Sequence, residues 1–233
     1  MRIFGAIIDS LFPARCIRCE KNIPRQEDAL CSDCLETITL PNTLFCGTCG
    51  ARLPAAKKIC HRDTPYILGS IAEYEDPTIK KLIHALKFKR LKPVSVFLGN
   101  LLVAYVENLN PPFVLTEETI IIPLPLSKER LRERGFNQAA LIAKTFAENV
   151  HLPMLEDVLI RTRHSKPQSQ TENVKDREEN VHDAFHVVRP EMIAGKKLIV
   201  IDDVTTTGAT LRSASKVLKQ NGAKEILALT IAR

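Results

Sequence analysis

Tryptophan is missing from this 233-residue chain, and aromatic residues make up only 5% of it. An extended platform of stacked rings for nucleobases is therefore not available. Long apolar runs are missing too. The best candidate, 94–106, is too short to span a bilayer and carries Asn100. The first twelve residues hold one basic residue, an acid at Asp9 and no small-residue cleavage site. They read as a short amphipathic helix and not as an export signal, so a cytoplasmic protein is expected. No G-x-x-x-x-G-K loop or G-x-G-x-x-G fingerprint occurs, which argues against a Walker-type nucleotide site and a dinucleotide fold. Between Pro77 and Val106 there is no acidic residue at all, although the chain as a whole is formally only +6.

Cysteine is absent after residue 60, and all seven cysteines fall between 16 and 60. This shift predicts a cysteine-rich module over 1–62 and a second domain over 63–233. The cysteines form C-x-x-C pairs, Cys16 with Cys19, Cys31 with Cys34 and Cys46 with Cys49, followed by Cys60 alone. Each pair offers two thiolates from one tight turn, the arrangement that tetrahedral Zn2+ takes. A disulfide framework suits neither the odd count nor the missing export signal. Cys16, Cys19, Cys31 and Cys34 complete one site. Cys46, Cys49 and Cys60 leave a second one ligand short. Asp63 has the spacing for the vacancy and His61 the better donor chemistry, and loss of this metal is a third option. Closed sites of this kind staple a small module and leave no open position for catalysis.

Past residue 66 the texture changes to short apolar strands alternating with helical periods. Strands are expected over 66–74, 119–125, 197–204 and 225–232. Helices are expected over 79–90, 94–109, 127–134, 136–149 and about 208–221. A polar stretch over 161–183 has no clear period. The alternation predicts an α/β domain with a mostly parallel sheet, preceded by the metal-stapled module. Ligands of such sheets bind beyond the carboxyl ends of strands. The segment "LIVIDDVTTTGAT", 198–210, is built for that position. Asp202 and Asp203 emerge where carboxylates can accept hydrogen bonds from ribose hydroxyls. Thr205, Thr206, Thr207 and Gly208 then turn into a helix whose positive end suits a phosphate. A strand end and a helix cap would explain a shorter match equally well.

The whole segment resembles the binding motif of type I phosphoribosyltransferases. The resemblance implies that Asp202 and Asp203 meet the ribose of phosphoribosyl pyrophosphate and that Thr205, Thr206, Thr207, Gly208 and Thr210 hold its 5′-phosphate. Other segments narrow the likeness. "IIPLPLSKERLRERGFNQAALIA" at 121–143, "KPQSQTENVKDREENVHDAF" at 166–185 and the cysteine module resemble the ComF family, with Asp63 standing where that family has a cysteine. There the module is a double zinc ribbon. Membership implies competence for natural transformation, handling of single-stranded DNA, and recruitment to the inner face of the membrane. The implied partners are a helicase-type DNA-uptake ATPase and a recombination mediator. Carried onto this chain, Pro123, Leu124 and Pro125 form the pyrophosphate loop, with Arg130, Arg132 and Arg134 beside it. The loop from Arg161 to Arg177 becomes a lid that brings in Arg161, Arg163, Lys166 and Arg177.

Lys80, Lys81, Lys87, Lys89, Arg90 and Lys92 supply the positive charge of the acid-free stretch. An amphipathic helix should project them together as an electrostatic surface for a nucleic-acid backbone. Two functions of different class follow. One is a DNA-uptake factor whose pocket binds a sugar phosphate without turnover. The other is a working transferase that releases pyrophosphate, with Mg2+ on the pyrophosphate and ribose oxygens. No nucleobase-recognition element is readable.

Overall fold

The computed structural model describes residues 14–23, 29–54, 60–61, 63–110, 115–162 and 184–233. In chain order it places β1 (Ala14–Arg15), β2 (Asn22–Ile23), α1 (Ser32–Leu35), β3 (Leu44–Cys46), β4 (Arg52–Leu53) and β5 (Ile67–Ala72). Helices α2 (Pro77–Lys87) and α3 (Pro93–Glu107) follow, then β6 (Thr119–Pro123), α4 (Lys128–Arg134) and α5 (Gln138–Val150). The chain closes with β7 (Leu159–Arg161), β8 (Phe185–Val187), β9 (Lys197–Val204), α6 (Ala209–Gln220) and β10 (Glu225–Ala232). The N-terminal segment 1–12 and most of the 161–177 loop, including Arg163, Lys166 and Arg177, lie outside the described residues.

Six strands form one sheet in the order β4-β3-β5-β10-β9-β6. Strands β5, β10, β9 and β6 are parallel, as the alternating pattern predicts. Leu198, Ile199, Val200 and Ile201 of β9 are buried, which is why that strand reads as an unbroken apolar run. One face of the sheet packs on α2, α3 and α5 and the other on α6 and the β7–β8 hairpin. Helix α2 starts where Asp76 accepts the N–H groups of Thr78 and Ile79, both at 2.9 Å, with Pro77 at its first position. Its apolar stripe, Ile79, Leu82, Ile83 and Leu86, goes into the core. No helix among the described residues is long and apolar enough to cross a membrane.

The two halves of the cysteine module have different supports. The first half, around β1, β2 and α1, packs its Cys16, Ile23, Leu30 and Cys34 into the core that α2 and α3 share. In the second half, β3 pairs antiparallel with β5, so the β3–β4 hairpin extends the central sheet. Without it β5 would present a free edge of unpaired backbone groups.

Helices α3 and α5 cross at Gly99. A Cβ there would lie 2.6 Å from the Thr145 Cβ, closer than side chains approach. Gly99→Ala should therefore destabilise the protein by about 1–3 kcal/mol through overpacking. Urea unfolding measures this, and an unchanged midpoint would refute the close crossing.

Candidate functional site

Parallel pairing fixes where the acids of β9 lie. Pro123 pairs with Ile201 on one side and Thr230 with Asp202 on the other, so both acids leave the sheet at its carboxyl edge. Leu124 N–H donates to the Ile201 carbonyl at 2.8 Å, which sets the Pro123–Leu124–Pro125 turn beside Asp202. Asn137 holds that turn from the other side, its amide donating to the Leu124 carbonyl at 3.0 Å. Beyond β9, Thr205 is buried and tied to the Ala232 carbonyl at 3.0 Å. Thr206 and Thr207 are exposed, and Gly208 has a φ of +71° at the start of α6. That backbone conformation favours glycine. The result is an edge with two carboxylates, a hydroxyl-bearing turn and a helix N-terminus.

The acids do not share one environment. Asp203 pairs with Lys87 at 2.8 Å, and both side chains are largely buried. Asp202 accepts the backbone N–H of Asp203 at 2.8 Å. Burial first, and then the neighbouring Asp203 charge, push the Asp202 carboxyl up to about 7, against the pull of that N–H, Lys87 and Arg161. Arg161, at the end of β7, stands over the Phe185 ring at 5.4 Å. Burial and then Arg130 hold its guanidinium below the usual range, while Asp202 opposes them. Arg130 and Arg132 are exposed on α4, and Arg134 is turned toward Gln138 at 2.9 Å.

Of the six cations expected on one face, Lys80, Lys81, Lys89, Arg90 and Lys92 are exposed and Lys87 is not. Lys87 turns inward to Asp203, and Lys81 donates to the Arg18 carbonyl of the first cysteine module at 2.8 Å. Lys80 reaches Glu75 at 3.4 Å. A lysine run gives no sign that Lys87 alone meets a buried acid. Lys89, Arg90 and Lys92 remain exposed in the turn after α2. Arg90 donates to the Glu133 carbonyl at 2.7 Å and so joins this turn to α4, and Lys92 lies 5.3 Å from the Phe136 ring centre. Lys87 as a member of the acidic site was missed by sequence reasoning.

Two groups of metal-ligand type converge among the described residues. Cys16, Cys19, Cys31 and Cys34 form one, and Cys46, Cys49, Cys60 and His61 the other, with all ligand atoms of a group within 4.8 Å of one another. The Sγ atoms of Cys19 and Cys31 are 3.6 Å apart and those of Cys49 and Cys60 are 3.8 Å apart. Thiolates bound to zinc at 2.3 Å in a tetrahedron stand about 3.8 Å apart, so both donor sets fit Zn2+. The second group contains His61, whose Nδ1 is 3.4 Å from Cys46 Sγ, and does not contain Asp63. Burial raises the Cys16 and Cys46 thiols, but hydrogen bonds outweigh it and bring both to about 6. Backbone N–H groups supply these bonds in each case, and His61 adds one at Cys46.

The second group adjoins the acidic site. Tyr66, buried beside it, brings its hydroxyl so close to Gly208 that a Cβ there would lie 2.8 Å away. Arg212 of α6 reaches the Thr48 carbonyl, within the Cys46–Cys49 turn, at 3.5 Å.

Two outcomes follow. Metal analysis should find two Zn2+ per chain, falling to one in His61→Ala and staying at two in Asp63→Ala. Asp202 keeps its proton to about pH 7 in the fold but loses it near 3.8 when unfolded, so its ionisation opposes folding as pH rises between those values. Asp202→Asn should therefore melt higher than the parent at pH 8, with the difference shrinking to nothing below pH 4. A pH-independent difference would contradict the buried charge.

Comparison with known proteins agrees with this layout. Residues 7–62 match the double zinc ribbon domain and residues 133–233 the phosphoribosyl transferase domain. Competence protein F of Haemophilus influenzae is 31% identical over 234 residues, covering 96% of this chain and 99% of that protein. The DNA utilization protein YhgH of Escherichia coli K12 is 28% identical over 219 residues, covering 92% and 94%. The solved glutamine phosphoribosylpyrophosphate amidotransferase from B. subtilis overlaps 58% of this chain and 25% of its own at 18% identity and a TM-score of 0.39, too loosely to add to the sequence match. A double zinc ribbon followed by a phosphoribosyltransferase-type α/β domain, matched along its whole length by a competence protein, makes this chain a member of the ComF family.

Proposed function

We propose that this protein is a DNA-uptake factor that holds a phosphoribosyl pyrophosphate-like sugar phosphate in the carboxyl-edge site and binds single-stranded DNA beside it. The observation that carries the reading is the convergence at one edge of Asp202, Asp203, the 205–208 turn and the 123–125 turn. Each is positioned by sheet pairing or by a backbone hydrogen bond. Ribose hydroxyls donate to the carboxylates, the 5-phosphate accepts N–H groups from the turn and from α6, and Thr210 lies in the first turn of that helix. The diphosphate extends along the 123–125 turn toward Arg130, Arg132 and Arg161, with Arg134 bracing the end of α4. The names of the two relatives, a competence protein and a DNA utilization protein, support the setting. In that setting the protein acts in the cytoplasm beside a helicase-type ATPase and a recombination mediator.

For DNA, the exposed turn 88–92 and α4 form a more compact surface than α2 does. Lys89, Arg90 and Lys92 surround Phe88, which is 64% exposed and has the His84 ring 4.8 Å away. One such ring supports a single stacked base, and the cations hold the backbone without sequence preference. The transferase reading rests on the match of residues 133–233 to the phosphoribosyl transferase domain.

Asp203→Asn should weaken phosphoribosyl pyrophosphate binding by about tenfold or more, measured by calorimetry on the zinc-loaded protein. A Lys89→Gln, Lys92→Gln, Arg132→Gln triple variant should flatten the salt dependence of oligonucleotide binding by about 2 in log–log slope. An unchanged slope would remove DNA from this surface. Pyrophosphate release that requires both an acceptor and Asp203 would establish the transferase in place of the binding factor.

A further inference from the structure

One partner of the ion pair inside the acidic site, Lys87, lies outside the matched transferase segment. Lys87 is the last residue of α2, and the phosphoribosyl transferase match begins only at residue 133. The helix that delivers it is fixed at both ends of its length. Asp76 caps its start, and Ile83 and Leu86 are buried in the core just before the lysine. The stem of Lys87 is thereby led under the carboxyl edge of the sheet, where its ammonium lies 2.8 Å from Asp203 Oδ1.

This arrangement bears on the Mg2+ that a transferase site of this type implies. Mg2+ requires oxygen ligands at about 2.1 Å in near-octahedral order and retains several waters. Here one oxygen of each carboxylate has a partner, Asp203 Oδ1 the Lys87 ammonium and Asp202 Oδ1 the Asp203 N–H. A divalent ion on the same carboxylates would stand within a few ångströms of a fixed ammonium in a largely dry pocket, where like charges repel strongly. The charge of Arg161 also acts on Asp202 and adds to that repulsion. The Lys87 ammonium therefore opposes a Mg2+ held directly by the acidic pair.

We propose that Lys87 is a ligand-contacting, specificity-determining residue of this site, its ammonium standing where a divalent cation would otherwise bridge carboxylate and sugar diphosphate. The pocket accordingly takes 5-phosphorylated pentoses, ribose 5-phosphate and its 1-diphosphate, without a metal. The inference rests on the sugar-phosphate reading of the site and adds to it the source of positive charge. On ligand entry the ammonium keeps Asp203 and donates a further proton to a ligand oxygen, since it carries three N–H donors.

The test is calorimetric titration of the zinc-loaded full chain with phosphoribosyl pyrophosphate and with ribose 5-phosphate. Buffer freed of divalent ions by resin is compared with the same buffer containing excess MgCl2, and no chelator is used because it would strip the zinc. The parent should bind both ligands in either buffer with affinities within about threefold. Lys87→Met should bind about tenfold or more weakly in the metal-free buffer and regain part of the loss with MgCl2. A parent that binds only with MgCl2 overturns the proposal while leaving the sugar-phosphate site standing. A Lys87→Met protein that melts cooperatively and binds like the parent also overturns it. No binding of either ligand in either buffer overturns the underlying reading as well. If Lys87→Met does not fold, the parent's comparison still decides, and Lys87→Arg should keep metal-independent binding.

Discussion

Two adjacent carboxylates at the end of a strand that is dry on both faces are the constraint around which the rest is arranged. β9 can be that apolar only because sheet neighbours satisfy its backbone and helices cover its faces. The same coverage withdraws water from Asp202 and Asp203, so positive charge or protons must come from elsewhere. Part comes from Lys87, part from the proton that Asp202 retains to about pH 7, and part from the positive end of α6. The arginines on β7 and α4 add positive charge beside this edge.

The cysteine module is joined to this edge, not merely appended to the chain. Its second half adds β3 and β4 to the sheet, and the Cys46–Cys49 turn lies beside the 205–208 turn. A Cβ at Gly47 would meet the Tyr66 carbonyl at 2.5 Å, and one at Gly208 would meet the Tyr66 hydroxyl. Tyr66 is thus pressed between the Cys46–Cys49 turn and the 205–208 turn. Zinc in the Cys46–Cys49–Cys60–His61 group would brace Tyr66 and, through it, the 205–208 turn proposed to take phosphate.

Much of this was legible in the residues, unevenly and for physical reasons. Strands β9 and β10 and helix α6 announce themselves because burial on both faces demands unbroken apolar runs and the intervening helix keeps a clean period. The C-x-x-C pairs are local turns, so their spacing reports their chemistry directly. His61 against Asp63 was not decidable, because the choice depends on how the chain bends after Cys60 and on the approach of Cys46. Lys87 was hidden for the opposite reason. In "LKFKRLK" every cation looks alike, and only the packing of Ile83 and Leu86 turns one of them toward an acid more than a hundred residues away. The union of β3 with β5 was equally silent, since a short hairpin strand carries no mark of the edge it will cover.

The most direct measurement of the central claim is a crystal structure of the zinc-loaded protein with ribose 5-phosphate. The account predicts the phosphate on the N–H groups of the Thr206–Ala209 turn and the sugar hydroxyls at about 3 Å from the carboxylates of Asp202 and Asp203. It also predicts the Lys87 ammonium still on Asp203. Phosphate bound instead on the 88–92 turn, with the acidic edge vacant, would contradict it.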